Sequence, residues 1–273
     1  MSAWLCSLAS GSLGNALLVA SAGARVLVDM GLSRKRLAEG LAAAGVESGD
    51  VNAIFLTHTH RDHIKASAVG YCLTHGVRLV TTKANLEHLV RTMPTFRKLV
   101  GAGLAEAING QSVTIGDITV EAFAVPHDSE GDCLGFRLHA GPARQRRTVT
   151  VATDLGHVTP DAMAAFLDSH AVVLESNHDP EMLWGSARPE DLKARIAGPN
   201  GHLSNAACAE AVAEIVGRSH PGRVREVVLA HLSRDCNTPR LALAAQAHLA
   251  RTRAAEVRLT PVTQDAVGPR IEL

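Results

Sequence analysis

The segment Thr57-His58-Thr59-His60-Arg61-Asp62-His63 sets three imidazoles and a carboxylate close together. Neutral His nitrogen and ionised Asp oxygen are ligands for zinc, manganese or iron. The run Asn52-Ala-Ile-Phe-Leu-Thr57 just before the cluster is apolar, so the cluster reads as the end of a buried strand. Alternate residues of a strand point the same way, which gives His58 and His60 one direction. Asp62 and His63 follow on the turn, aimed at a second position. The natural reading is two metal ions side by side.

A dinuclear centre needs more ligands than one loop provides. Three further residues close apolar runs in the second half. His127 follows Ile118–Val125, Asp154 follows Thr148–Thr153, and His231 follows Val227–Ala230. Each is a candidate ligand at a strand end. Asp29, after Arg25-Val-Leu-Val28, occupies an equivalent early position.

The elements that must position these residues show in the hydrophobic pattern. Strands are expected at Ala3–Leu8, Asn15–Ala20, Arg25–Asp29 and Asn52–Thr57. A helical pattern follows from Leu32 to Ala44, ended by Gly45. Helix, strand and helix come next, at Ala66–His75, Val77–Thr82 and Ala84–Val90. The stretch Arg91–Asn109 has no clear period. A second β-rich block spans Ser112–Ile115, Ile118–Val125, Leu134–His139 and Thr148–Thr153, with Gly116-Asp117 as a hairpin turn. Helices and strands then alternate over Ala162–Leu167, Ala171–Glu175, Glu190–Ile196, Asn205–Val216, Val224–Ala230 and Pro239–Leu249, with a last strand at Val257–Thr260. Two β-rich halves, each followed by helices, predict two sheets packed face to face with helices outside. The expected class is therefore α/β, an αββα sandwich of two mixed sheets. No linker or repeat divides residues 1–273, so one domain is expected.

Composition narrows the function. The chain has 273 residues, and 46% are apolar, enough for a large core. Formal net charge is zero, so nucleic-acid binding needs a local patch. The basic runs Arg34-Lys35-Arg36 and Arg144–Arg147 are the candidates. Aromatics are only 3%, which argues against extensive base stacking and for backbone-directed, sequence-independent binding. Five scattered Cys with no CxxC pair argue against a disulfide framework and for a reducing compartment. The first residues lack a basic start, and no apolar run has the length of a membrane span. A cytoplasmic protein is expected.

The set His58-Thr-His60-Arg-Asp62-His63, His127, Asp154 and His231 resembles the metallo-β-lactamase fold, with its HxHxDH motif, lone His, bridging Asp and final His. The resemblance implies that His58, His60 and His127 hold one metal. It gives Asp62, His63 and His231 to the other, with Asp154 bridging. Asp29 would orient a ligand His through its free ring nitrogen. Within the fold, Ser10–Asn15, Ala152–Gly156, Leu174–Asp179, Gly201–Asn205 and Leu229–Ser233 are similar to the YycJ (WalJ) type. That type implies a 5′→3′ exonuclease acting on DNA, linked to mismatch repair, with two divalent ions, manganese or zinc (iron being possible). Glu175–Asp179, Gly201–Asn205 and Ala230–Ser233 are also similar to blocks of the tRNA 3′-processing enzymes, whose Glu–His pair assists leaving-group protonation; His202, ahead of a helix, is the expected proton donor beside Asp62 in the catalytic set, and Glu175 is expected to support the ligands from behind. Ser10, Ser12 and Asn15 in a Gly-rich loop, with His178, Ser204 and Asn205, are candidate phosphate contacts. Arg61 is a further one, though positions 59 and 61 depart from the Glu and Ser common in relatives. An inserted cap of ordinary domain size, about 100 residues, does not fit between Asp154 and His231. Two rivals remain at this point: a small ester, thioester or lactone hydrolase with the same metals, and a non-catalytic regulator.

Overall fold

A computed structural model describes residues 3–247 and 256–273. The first sheet orders β14 (Ile271–Glu272), β1 (Trp4–Ala9), β2 (Ala16–Ala20), β3 (Arg25–Val28), β4 (Ala53–Phe55), β5 (Arg78–Thr81) and β6 (Ala105–Ala107). The second orders β13 (Arg258–Pro261), β12 (Glu226–Ala230), β11 (Ala171–Glu175), β10 (Arg147–Ala152), β9 (Leu134–Ala140), β8 (Ile118–Ala124) and β7 (Val113–Ile115). Both sheets are mixed: β3 to β6 run parallel in one, and β10 to β13 in the other. Continuous apolar runs such as Ala-Leu-Leu-Val-Ala in β2 are buried on both faces. That is the pattern of a strand with a sheet on one side and helices on the other.

Three apolar layers result. Leu5, Val26 and Phe55 of the first sheet meet Phe136, Val149 and Val228 of the second between the sheets. Leu18, Leu27 and Ile54 turn outward onto α1 (Arg34–Ala43) and α2 (Ala66–His75), through Leu37, Leu41 and Cys72. Val172, Leu174 and Leu229 turn outward onto α5 (Pro160–Phe166) and α8 (Asn205–Arg218), through Phe166, Cys208 and Val212. The predicted αββα sandwich is the observed one.

The register brings the candidate residues level. Ala152, Leu174 and Leu229 are successive partners across β10, β11 and β12. Asp154, Glu175 and His231 therefore emerge at one edge. Val28 pairs with Phe55, so Asp29 and the Thr57–His63 turn emerge at the end of the first sheet's parallel strands.

Most expected elements are present with ends shifted by a residue or two. The unread stretch 91–109 holds α4 (Phe96–Gly101) and β6, both too short to show a period. Among the described residues, one strand and one α-helix outside that stretch were not expected at all: β14 and α6 (Pro180–Gly185). α6 carried its signals openly. Asp179 caps it by accepting from Met182 N at 3.0 Å, and Pro180 opens it. The helix expected at Pro239–Leu249 is α9 (Pro239–Ala245), with 248 and 249 outside the described residues. α3 (Lys83–Thr92) and α7 (Glu190–Ile196) complete the helices used below.

Candidate metal centre

Three strand-end residues sit in left-handed backbone: Asp29 at φ 65°, Asp154 at φ 58° and His231 at φ 52°. This region costs a non-glycine residue about 1 kcal/mol or more and persists only where surroundings over-determine it. Here they do. Asp29 N donates to Phe55 O at 2.9 Å. His231 N donates to Ser10 Oγ at 2.7 Å, and Asn177 Nδ2 donates to His231 O at 2.9 Å. The strained turns aim all three side chains into one space.

The outer ring nitrogens set the tautomers. Nδ1 of His63 donates to Asp29 Oδ2 at 2.7 Å, and Nδ1 of His231 to Glu175 Oε1 at 2.8 Å. His127 Nδ1 donates to Gly201 O at 3.0 Å, and His58 Nδ1 to Thr57 Oγ1 at 3.0 Å. Each of these rings therefore turns a bare Nε2 inward. These bare nitrogens meet other acceptors. His58 Nε2 lies 3.0 Å from His60 Nδ1, and His127 Nε2 lies 3.3 Å from the same atom. His63 Nε2 lies 3.0 Å from Asp154 Oδ2, and His231 Nε2 lies 3.4 Å from Asp62 Oδ2.

Contacts this close between ring nitrogens and carboxylate oxygens need a proton or a metal cation between the two atoms. Asp154 Oδ2 is buried with no hydrogen-bond donor, the mark of an oxygen meant for such a cation. The donor atoms fall into compact groups, within 4.8 Å of one another. His58, His60 and His127 form one, and Asp62, His63 and His231 form another. Asp154 shares a group with His58 and His63. A nitrogen-rich and carboxylate-bearing set of this kind fits divalent metal binding.

Charge supports the same conclusion. Asp29, Asp154 and Glu175 are buried here, and Asp62 is half-buried. Burial alone would raise the carboxyl pKa values of Asp62 and Asp154; neighbouring imidazoles outweigh it and hold both well below the usual range. The imidazoles respond unevenly. Burial and the neighbouring His63 push His58 down. Burial would also lower His231, but Asp154, Asp62 and Glu175 raise it to about 10. Protons alone serve this cluster badly, because some rings reject them while the carboxylates need positive charge.

Glu175 is fully engaged. Oε1 accepts from His231 and, at 2.9 Å, from His202 Nδ1. Oε2 accepts from Leu155 N and Leu203 N at 3.1 and 3.0 Å. Burial would lower the His202 pKa, but the Glu175 carboxylate and Asp154 outweigh it and the net shift is upward.

Residues 24–232 match the family model described as the beta-lactamase superfamily domain. The chain belongs to the beta-lactamase superfamily. Within it, the chain groups with the YycJ and WalJ proteins. It is 35% identical over 238 residues to exodeoxyribonuclease YycJ of Bacillus anthracis, covering 86% of this chain and 84% of that one. It is 31% identical over 245 residues to exodeoxyribonuclease WalJ of Streptococcus pneumoniae strain D39, covering 86% and 83%. The metallo-β-lactamase fold protein YhfI of Bacillus subtilis superposes over the full length of both chains, with TM-score 0.68 and 16% identity. That likeness is one of fold.

Not every expected site residue of this superfamily member reaches the cleft above the cluster. The cleft, about 270 Å³, is lined by Ser12, His60, Asp62, His127, Asp154 and His202 among others. Ser12 is exposed there. Ser10 and Asn15 are buried and work inward: Ser10 holds the His231 backbone, and Asn15 Nδ2 lies 3.0 Å from His63 Nε2 and 3.3 Å from Asp62 Oδ2. Ser204 caps α8 by accepting from Ala207 N at 3.2 Å. Asn205 is buried between Ser176 Oγ and Asn237. His178 is buried, with Nδ1 unpartnered and its pKa lowered to about 4 chiefly by burial. Ser10, Asn15, Ser204 and Asn205 thus serve the scaffold, because Gly- and Ser-rich segments also supply caps and buried hydrogen bonds.

The basic runs also separate. Arg36 reaches Gln264 O, whose side chain accepts from Leu13 N, so α1 borders the Ser12 loop. Arg147 opens β10 while Asp154 follows its other end, roughly 20 Å away at about 3.3 Å per residue. The Arg144–Arg147 loop thus lies far from the cluster. Two arginines that were not foreseen do line the cleft, Arg188 and Arg195. Arg195 lies in a helix that was predicted, α7, and Arg188 just before it, but nothing in their spacing marked them.

Proposed function

We propose that this chain is a metal-dependent phosphodiesterase, a 5′→3′ DNA exonuclease of the YycJ type. The observation that carries it is the 35% identity to an exodeoxyribonuclease over 86% of the chain. The family match, 24–232, also spans every residue of the cluster. In this reading His58, His60 and His127 would hold one divalent cation and Asp62, His63 and His231 a second, and Asp154 would belong to the same donor set. Zinc and manganese suit this donor set, and iron is a third choice. Two such cations supply an activated water and neutralise charge on the phosphoryl group.

The chain's own residues do the rest. Asp62, partly open to the cleft, accepts a hydrogen bond from the attacking water. His202 delivers a proton to the leaving oxygen from Nε2, because Nδ1 is committed to Glu175. Asp29 and Glu175 fix the rings of His63 and His231. Ser12 contacts phosphate at the mouth. Binding is to the DNA backbone and is independent of sequence. Ligands drawn from both sheets make residues 1–273 one working domain. Five buried, unpaired cysteines accord with a reducing cytoplasm, and no helix among the described residues is long and apolar enough to cross a membrane.

The test is purified protein with manganese and an end-labelled, 5′-phosphorylated duplex. Stepwise loss of nucleotides from the 5′ end, absent in Asp154→Ala, is expected. Brisk thioester hydrolysis with an intact duplex would reverse the reading.

A further inference from the structure

We propose that one rim of the cleft is a binding platform for single-stranded nucleic acid, with a base stacked on Trp184 and flanking phosphates on Arg188 and Arg195. This rests on the nuclease reading and adds how its substrate is held. The chain has five Phe, two Trp and one Tyr. Phe55, Phe96, Phe136 and Phe166 are fully buried, Tyr71 is buried, and Phe123 is half-buried against the second sheet's core. Trp4 is buried, with Arg270 over its ring at 4.1 Å. Trp184 alone among the aromatics is exposed, at 49%.

Its setting is rigid. Leu183, its neighbour in α6, packs on Ile196 of α7 and on Cys236. Lys193 Nζ donates to Trp184 O at 3.0 Å, tying the end of α6 to α7. From α7, Leu192, Arg195 and Ile196 line the cleft, and Arg188 joins them from the connection before it. The connection before α7 and α7 itself thus form one wall of the cleft with two guanidinium groups, and α6, packed against that wall through Leu183, carries the exposed indole beside it.

Each arginine rests on an open carboxylate. Arg188 Nη2 is 3.0 Å from Asp235 Oδ2, and Arg195 pairs with Asp128. Exposed pairs of this kind are weak and exchange readily for a phosphate. The cleft, about 270 Å³, has room for the end of a strand. Base–aromatic stacking beside cationic side chains is how single strands are held without sequence preference. Low aromatic content therefore limits the number of stacked bases to one and does not abolish stacking.

The experiment uses the metal-loaded protein and a nuclease-resistant phosphorothioate single strand. Trp4 is buried, so a fluorescence change on binding reports Trp184. Quenching is expected. Trp184→Ala should weaken binding roughly ten-fold, while Trp184→Phe stays within about three-fold. An abasic strand of equal length should show no Trp184→Ala effect, whereas Arg188→Ala should weaken both strands. Binding by Trp184→Ala within two-fold of the parent, or equal loss on the abasic strand, overturns the proposal. Binding is read without cleavage. Quenching by a chain that cuts no DNA would sink the nuclease reading alone, and cleavage with unchanged fluorescence would sink this one alone.

Discussion

At the scale of single residues, this centre is built from acceptors that face one another. His63 Nε2 and Asp154 Oδ2 lie 3.0 Å apart, and with His63 Nδ1 donating to Asp29 a neutral His63 ring has no proton to place between them. Asp154→Ala removes the buried oxygen that joins the two groups. Expected is loss of bound metal on purification, read by elemental analysis, and activity down by at least about 10³-fold. Retention of two metals per chain would count against the arrangement. Asp29→Asn is subtler. It keeps the shape but offers His63 an amide, which can favour the wrong tautomer. Metal affinity should fall about 10- to 100-fold, read by competition with a chromogenic chelator. Unchanged affinity would mean that Thr57 and the left-handed turn suffice to hold the ring. The residue types and their spacing were legible in the sequence, since ligand chemistry allows few alternatives. The proper uses of Ser10, Asn15, Ser204 and Asn205 were not, because a hydroxyl or amide looks the same whether it faces a ligand or a helix end.

At the scale of elements, close backbone approaches decide whether the turns reach the cluster. A Cβ on Gly31 would lie 1.6 Å from Asp62 O, which itself accepts from Asn15 N at 2.7 Å. Gly31→Ala therefore pushes the Asp62–His63 turn off its seat. Expected is a metal-poor protein with stability reduced by about 3 kcal/mol or more, read by denaturant melts beside metal content. Ser204→Ala makes the opposite demand. Its hydroxyl caps α8, so stability should fall by about 1 kcal/mol with KM for DNA unchanged. A raised KM would restore Ser204 as a substrate contact. Long amphipathic helices and apolar strands were readable from their periods. α4, β6 and β14 were not, because two to six residues carry no period; their pairing is decided by neighbours distant in sequence.

At the scale of the whole molecule, the two ends of the second sheet serve different purposes. The carboxyl ends of β10 to β12 carry the cluster, while the opposite ends set arginines and glutamates side by side and hold no candidate ligand set among the described residues. His170 sits there, buried, with Nδ1 accepting from Thr148 N at 3.0 Å. Burial first, then Arg147, Arg223 and Arg225, lower its pKa to about 4. An unfolded His titrates near 6.5. As pH falls from about 6.5 to 4, the unfolded chain takes up a proton that the folded chain refuses. Stability is therefore fully present above about pH 6.5 and declines below it. The loss from His170 should reach about 2 kcal/mol near pH 4.5. His170→Asn keeps an acceptor for Thr148 and removes the titration. Urea midpoints measured at pH 7.5, 6 and 5 should fall less steeply for the variant than for the parent, with the same metal loading in both. Parallel curves would show that the arginines have moved away and that the ring charges freely at this end of the sheet.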